Sequence, residues 1–431
     1  MNVRKLALDT LSKCESAAQY SNLALDAKIK QFNITGDDRS LFTVLVYGVI
    51  EHKLTLDYYI NSLSSIPREK IEPSTRNILR LGLYQIIFMR ISDHAAVNET
   101  VALAPQRSRG FVNAILRNYL RKKDSIPLPV DTVDRLSVKY SFPAETCQKL
   151  IECFGKDETE RLLSAMNEPP MMTLRVNTLK TSRDELLQKL SDAGIKAEKT
   201  SFSPFGIRLA EGVSYPMLES LCKGEFFVQD EASQISTAVL ASERGMKVID
   251  MCACPGSKSF GAALTMENEG TLLAFDLSKS KLPLISSGAS RLGIDIISSN
   301  VRDGRDFLPE LEGSADRIIC DVPCSGFGVV AKKPEIRYKD INSAAALPDI
   351  QYGILCNAAR YLKKGGVMVY STCTVLPEEN EENVKRFLSS HPEFSPVPFN
   401  VGGLTAENGM ITLLPHIHGT DGFFICKLIK Q

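Results

Sequence analysis

The sequence predicts a multidomain protein: an all-α domain over residues 1–125, a helical connector over 126–165, a small α+β domain over 166–235, and an α/β domain with a doubly wound parallel sheet over 236–431. Three observations carry this reading. A chain of 431 residues is too long for a single core at about 150 residues per domain. Apolar residues recur at helical spacing through the first part of the chain, with almost no strand alternation. From Gly245 onward, short runs rich in Val, Ile and Leu alternate with helical stretches, the pattern of a parallel sheet covered on both faces.

In the first domain, Val3, Leu6, Ala7, Leu11 and Cys14 share one helical face, as do Leu41, Val44, Leu45, Gly48 and Val49 after the start signal Asp37-Asp38. Further apolar helices are expected over 78–87 and 111–120. Residues 1–124 hold 18 Lys and Arg against 12 Asp and Glu, so the overall charge of zero divides into +6 here and −6 on the remainder. The most basic spot is Arg117, Arg121, Lys122 and Lys123 at the end of the last helix. Cations there also suit a helix C-terminus, so the cluster alone is as well explained by a solvated helix end.

Ser125-Ile-Pro-Leu-Pro-Val130 is a proline-punctuated break and marks a boundary. After it, 150–166 reads as a helical connector, 171–177 as a strand, 182–193 as a short helix and 206–209 as a strand. In the last domain, strands are expected over 247–251, 271–276, 294–297, 317–321 and 367–370. The runs 411–414 and 423–429 flank Gly419-Thr-Asp-Gly422 and read as an antiparallel hairpin at the sheet edge.

Composition excludes several classes. Hydrophobic residues at 44% and charged residues at 24% disfavour disorder, collagen-like repeats and coiled coil. The first ten residues carry an acid before any apolar core forms, and no segment approaches about 18 uninterrupted apolar residues, so neither a secretory signal nor a membrane span is expected. A cytoplasmic location follows. Eleven cysteines without a signal read as thiols, and the spacing of Cys252 and Cys254 from the five histidines supports no zinc or other metal site.

The first strand of the α/β domain leads into Asp250-Met-Cys-Ala-Cys-Pro-Gly-Ser-Lys-Ser259, where a doubly wound sheet places a nucleotide-like cofactor. The stretch has neither the Gly-x-Gly-x-x-Gly spacing nor the phosphate loop, which leaves a cofactor with a ribose and no phosphates. Asp276, at the end of the second strand, is placed to accept from ribose hydroxyls, and Asp303, after the third, from an adenine amino group. S-adenosyl-L-methionine fits this set. Each acid taken singly is equally well read as a helix cap.

Two thiols stand apart from the usual buried cysteine. Cys324 in Asp321-Val-Pro-Cys-Ser-Gly326 and Cys373 in Ser371-Thr-Cys373 lie in polar turns just past two strands, facing one crevice. Carbon 5 of a pyrimidine is a poor nucleophile until a thiolate adds to carbon 6, so a methyl donor beside a reactive thiol has a specific use. Asp321 could hydrogen-bond N3 of cytosine and draw density from carbon 6.

Cys252-Ala-Cys-Pro-Gly-Ser-Lys258, Asp321-Val-Pro-Cys-Ser-Gly326 and Ser371-Thr-Cys373 resemble three signatures of the NOL1/NOP2/Sun family of RNA cytosine-C5 methyltransferases, in order and spacing. Lys333-Pro-Glu-Ile-Arg-Tyr338, Pro377-Glu-Glu-Asn380, Leu174-Arg-Val-Asn177 and Val228-Gln-Asp-Glu-Ala-Ser233 also match. His94-Ala-Ala-Val-Asn-Glu99 and Gly110-Phe-Val-Asn-Ala-Ile-Leu-Arg117 are similar to a NusB-type RNA-binding domain, found ahead of this core in bacterial enzymes that methylate one cytosine of 16S ribosomal RNA. The resemblance covers essentially the whole chain. It implies a NusB-like domain, an RRM-like small domain and a Rossmann-like class I methyltransferase domain. It also implies Cys373 as nucleophile, Cys324 assisting product release, and cofactor contacts from Cys252, Ala253, Cys254, Pro255, Gly256, Ser257 and Lys258 with Asp276, Asp303 and Asp321. The implied partner is 16S rRNA, bound by a monomer.

The sequence departs from the family pattern at Cys254 (usually Ala), Ser257 (usually Gly), Ser259 (usually Thr) and Phe327 (usually a small residue). The position of Phe327 lies where the target base should stack. Two other readings stay open: the same chemistry on transfer RNA, and a catalytically silent ribosome-assembly factor.

Overall fold

A computed structural model of the chain describes residues 2–17, 21–210 and 213–431. They form two compact units, one of 1–168 with Val330–Ile341 and one of 169–329 with 342–431.

The first unit is helical: α1 (Val3–Ala17), α2 (Ser21–Phe32), α3 (Gly36–Glu51), α4 (Lys53–Leu63), α5 (Pro73–Phe88), α6 (Asp93–Leu103), α7 (Gln106–Lys122), α8 (Thr132–Tyr140), α9 (Ala144–Phe154) and α10 (Lys156–Ala165). The faces read from periodicity meet through Leu6, Leu11, Leu45, Val49, Ile78 and Leu116, which lie in one apolar core, but Val44, placed on the same face by its spacing, is 43% exposed. The prolines at 127 and 129 lie in the connection between α7 and α8, inside this unit. Tyr58 donates to the Pro127 carbonyl (2.6 Å) and Thr55 to that of Val138 (2.5 Å), which ties the following helices to α4. The segment Val330–Ile341, which follows the Cys324 turn in sequence, also belongs here. Arg337 is fully buried and donates to the Glu51 carbonyl (3.0 Å) and to Asn167 Oδ1 (2.9 Å), and Tyr338 donates to the Ile50 carbonyl (2.7 Å).

The second unit opens with a four-stranded antiparallel sheet of β1 (Thr173–Val176), β2 (Ala197–Lys199), β3 (Gly206–Leu209) and β4 (Phe226–Val228), in the order β2-β3-β1-β4, with α11 (Arg183–Asp192) and α12 (Tyr215–Leu221). A capping box on Ser182 and Glu185 starts α11, as its sequence signal requires. One sheet face packs under the helices through Leu174, Val176 and Phe226. The other is covered as well. Phe227 enters the core of the following domain, and buried Arg175 donates to Thr237 and to the Gly261 carbonyl (3.1 Å). The fold is ferredoxin-like, but this sheet has no free face on which bases could stack in the manner of an RRM.

The large sheet contains β5 (Lys247–Asp250), β6 (Thr271–Asp276), β7 (Ile297–Val301), β8 (Ala315–Asp321), β9 (Leu362–Thr372), β10 (Phe394–Pro396), β13 (Met410–Leu413) and β14 (Phe423–Lys430). A separate ribbon pairs β11 (Phe399–Val401) with β12 (Leu404–Ala406). Strand order is β10-β14-β9-β8-β5-β6-β7, with β13 also on β14. The pairs among β5 to β9 are parallel, and those of β14 are antiparallel. Neighbouring residues point into opposite cores: Val248, Ile319, Val369 and Ile425 face α13 (Glu231–Leu240), α14 (Ser257–Thr265) and α15 (Leu282–Leu292), whereas Ile249, Ile318, Met368 and Phe424 face α16 (Leu347–Tyr361) and α17 (Glu381–Ser390). Burial on both faces explains why these strands read as continuous apolar runs. A one-turn α18 (Pro415–His418) precedes β14.

Two strand expectations shift. The third parallel strand is Ile297–Val301, not 294–297, because Ile294 closes α15 behind a left-handed Gly293 and is buried with that helix. The final hairpin forms, but β14 is interior. It pairs with β9 on one side and with β13 and β10 on the other, so those two short strands make the edge.

Candidate active site

Strand order reverses between β5, which continues to β6 and β7, and β8, which continues to β9. Crevices open at the carboxyl ends of strands at such a point. Asp250 ends β5, Asp276 ends β6 and Asp321 ends β8.

The turn after β5 is built around Gly256, whose φ of 112° suits glycine and where a Cβ would stand 2.6 Å from the Phe260 ring. Its amide donates to the Ala253 carbonyl (2.7 Å), and that of Ala253 to the Phe275 carbonyl (2.7 Å), which ties the turn to β6. Ser257 is the first residue of α14, so the left-handed backbone falls on Gly256 and a side chain at 257 meets no conformational penalty. Ser259 donates to Asp250 Oδ2 (2.6 Å), a bond that needs only the hydroxyl shared by Ser and Thr. Asp250 is fully buried, and burial pushes its carboxyl up to about 7.

Asp276 accepts from the amides of Cys254 (3.1 Å) and Ser278 (2.9 Å), and the adjoining Leu277 is 70% exposed. Pinned by two backbone donors, the carboxylate keeps lone pairs for hydroxyl groups beside an apolar surface suited to a flat ring. Burial raises the Cys254 thiol to about 12, with Asp276 adding to it. Pro255 is exposed at the tip of the turn. Cys252 is raised well above its ordinary value by burial first, and then by the charges of Asp250, Asp321, Asp276 and Asp303. Asp321 is paired with Lys258 and Asp303 with Arg305, which leaves Asp276, held by two backbone amides, as the acceptor that fits the ribose of S-adenosyl-L-methionine. Asp303 reaches this cluster with its carboxylate already engaged by Arg305 (2.9 and 2.6 Å), which holds it below the usual range.

Lys258, grouped by sequence with the cofactor contacts, directs its ammonium elsewhere. It donates to Asp321 Oδ2 (2.7 Å) and to Ser233 Oγ (3.4 Å), over the Phe423 ring at 5.0 Å. Burial opposes that charge, but Asp321, aided by Cys373 and Asp250, raises the group above its ordinary value. Ser371 donates to the other Asp321 oxygen (2.8 Å). Across the β8–β9 register, Asp321 sits opposite Ser371, which brings the two strand ends to one place.

Cys324 and Cys373, 49 positions apart, stand with sulfurs 3.1 Å apart, and the Cys373 amide donates to Cys324 Sγ (3.3 Å). Cys324 is raised well above an ordinary thiol, first by its hydrogen bond with Cys373 and then by burial, so it keeps its proton and can donate it toward its neighbour. All eleven cysteines are thiols; Cys320 and Cys426 are small core hydrophobes, and Cys356 packs partly buried against the same core.

Phe327 does not flank the site as an exposed ring. At 2% exposure it is core, because Gly328 is drawn in by hydrogen bonds from its amide to the Cys373 carbonyl (2.9 Å) and from Gly422 to its own carbonyl (2.8 Å). Sequence reasoning did not single out Ser233 and Ser371, although both lie in family motifs. It missed Ser325, Thr374, Gln351 and Glu379 behind the cysteines. Gln351 sits mid-helix with no local signal, since its partners are distant in sequence.

Residues 237–429 match the family model described as 16S rRNA methyltransferase RsmB/F, 1–121 that of the NusB family, and 142–215 that of a ferredoxin-like domain of RsmF/B-like methyltransferases. The chain is 37% identical to a probable ribosomal RNA small subunit methyltransferase B of Bacillus subtilis, spanning 100% of this chain and 99% of the relative. The corresponding probable enzyme of Synechocystis is 33% identical, with both chains covered completely. Among solved structures, PH0851 superposes with a TM-score of 0.82 at 27% identity, covering 100% of this chain and 99% of its own. NSun6 from Pyrococcus horikoshii, solved with SFG, gives a TM-score of 0.60 at 26% identity over 68% of this chain and 99% of its own. An end-to-end match leaves no domain outside the likeness, and the chain belongs to the ribosomal RNA small subunit methyltransferase B family of 16S rRNA methyltransferases.

Proposed function

We propose that the protein methylates carbon 5 of a cytosine in 16S rRNA through a transient bond between Cys373 Sγ and carbon 6 of the base. The observation that carries this is the thiol pair at 3.1 Å, set beside the Lys258–Asp321 pair at the mouth of an acidic crevice. The cofactor is S-adenosyl-L-methionine, of which the SFG of the Pyrococcus structure is an analogue. When bound, it supplies an electrophilic methyl group. Asp276 would hold its ribose hydroxyls and Asp303, braced by Arg305, its adenine amine, with the 252–258 turn around the remainder.

Cys373 attacks carbon 6 as the thiolate, favoured by the Lys258 ammonium. Asp321, oriented by Lys258 and Ser371, accepts a hydrogen bond from the base protonated at N3 by solvent, and that N3–H takes up the electron density displaced as the thiolate adds to carbon 6; the proton returns to solvent on release. After methylation a proton leaves carbon 5 to water and the C5–C6 double bond re-forms. The C6–Sγ bond breaks and returns its electron pair to Cys373, where the Cys324 S–H stabilises the departing thiolate. The target base must be unpaired or flipped out to reach this point. Arg117, Arg121, Lys122 and Lys123 are all exposed at the end of α7 and offer a phosphate contact for docking the RNA.

The test is bisulfite sequencing of 16S rRNA from cells with and without the gene. One cytosine resists conversion only when the gene is present. If the same cytosines resist in both, the ribosomal assignment is wrong.

A further inference from the structure

Behind the two cysteines lies a buried polar network that the reaction scheme does not use. Its centre is Glu379, at 2% exposure and just before α17. Glu379 Oε2 accepts from the amide of Ser325 (3.0 Å), the residue after Cys324, and from Gln351 Nε2 (2.8 Å). The same Gln351 nitrogen donates to the carbonyl of Pro323 (3.0 Å), the residue before Cys324. The turn carrying Cys324 is therefore gripped on both flanks by one side-chain pair. Its tip is joined to the neighbouring turn by Ser325 Oγ donating to Thr374 Oγ1 (2.8 Å).

Gln351 is held in turn. Its Oε1 accepts from Asn383 at 3.3 Å and lies at the same distance from the Tyr370 oxygen, whose one proton goes to the Glu379 carbonyl (2.5 Å). With its oxygen committed, the Gln351 amide presents its nitrogen toward the Cys324 turn. The other Glu379 oxygen is buried with no hydrogen-bond partner. Burying a carboxyl oxygen without a donor costs stability, and a purely structural position would be filled more cheaply by an amide or an apolar group. A group kept at such a cost is one whose acceptor strength matters.

We propose that Gln351 and Glu379 form a clamp that positions Cys324, so that its S–H is aimed at Cys373 Sγ during release of the methylated base. Both are positioning residues, acting through Cys324 and touching neither base nor cofactor. The inference rests on the release role given to Cys324 above. The clamp has no part in forming the C6–Sγ bond, which needs only Cys373, Lys258 and Asp321. Weakening it therefore leaves the first turnover intact and slows the later ones.

The experiment uses the full chain with S-adenosyl-L-methionine and 16S rRNA. It measures the first turnover, the steady-state rate, and covalent protein–RNA adduct on denaturing gels. Glu379→Gln keeps the shape and weakens the acceptor. Expected are a first turnover within about twofold of wild type, a steady-state rate down about tenfold and adduct accumulation. The double variant C324A/E379Q should be no slower than Cys324→Ala, because the clamp acts through that thiol. If Glu379→Gln unfolds, Gln351→Met, which keeps volume but removes the Pro323 and Glu379 bonds, carries the same expectations. The clamp is overturned if Cys324→Ala accumulates adduct while a folded clamp variant turns over like wild type, or if such a variant forms no adduct at all. If Cys324→Ala itself accumulates none, the release role fails, and the clamp's role with it.

Discussion

At the scale of single residues, the division of tasks proposed for two equivalent-looking thiols rests on their surroundings. Cys373 faces the Lys258 ammonium, whereas Cys324 is held protonated by its bond to Cys373 and its burial. Cys373→Ala is expected to abolish both methylation and adduct, and Cys324→Ala to trap the adduct. Gel shift of denatured protein–RNA mixtures reads both, and a trapped adduct in the opposite variant would exchange the roles. Asp250 makes a separate prediction about stability. Its folded value of about 7 lies above that of an unfolded aspartate. Its stabilising contribution is then complete below about pH 4 and is lost as pH rises toward 7, with a slope of up to about 1.4 kcal/mol per pH unit. Denaturant melts of wild type and Asp250→Asn should diverge over this window, wild type losing more stability with rising pH. Parallel pH profiles would show that Asp250 ionises freely in the folded protein.

At the scale of elements, the site is made where turns after parallel strands are bound to one another. Gly328 shows how tightly: a Cβ there would stand 1.8 Å from the Gly422 carbonyl oxygen and 2.9 Å from that of Cys373. Both obstacles are backbone and cannot swing aside. Gly328→Ala should destabilise the catalytic unit by about 1–3 kcal/mol and lower activity out of proportion by displacing the Cys373 turn. Thermal unfolding with a parallel methylation assay checks this, and a wild-type rate would show that the turns move independently. Motifs made this site legible because its key groups sit at strand ends, which alternating apolar runs locate. Glu379 and Gln351 were not legible as partners of Cys324, because their meeting depends on how α16 packs on the sheet.

For the whole molecule, a net charge of zero conceals a helical region of +6, and the basic end of α7 is solvent-exposed. Reversing Arg117 and Arg121 to Glu should weaken RNA binding most at low salt and flatten the dependence of log affinity on log salt by about 0.7–0.9 for each phosphate no longer neutralised. Thermal stability should fall only slightly, by about 0.3–1 kcal/mol for the charge lost from the last turn of α7, since both side chains are exposed. An unchanged salt slope would remove α7 from the RNA path. Deleting residues 1–124 is a poor substitute for this test, because it would strip hydrogen-bond partners from buried Arg337 and half-buried Tyr338. That dependence was invisible in the sequence: Lys333-Pro-Glu-Ile-Arg-Tyr338 reads as part of the catalytic region but folds with the helices.

The order of domains, the strand-end acids, the two cysteines and the exclusion of a phosphate-bearing cofactor follow from the amino-acid sequence, because each depends on local periodicity or on residue types at short spacing. Tertiary structure alone decided that Lys258 serves Asp321, that Phe327 is core, and that the small sheet is covered on both faces. It also decided that one carboxylate and one amide grip the Cys324 turn. These depend on which elements meet, and a meeting between residues dozens of positions apart leaves no mark on the pattern of either segment.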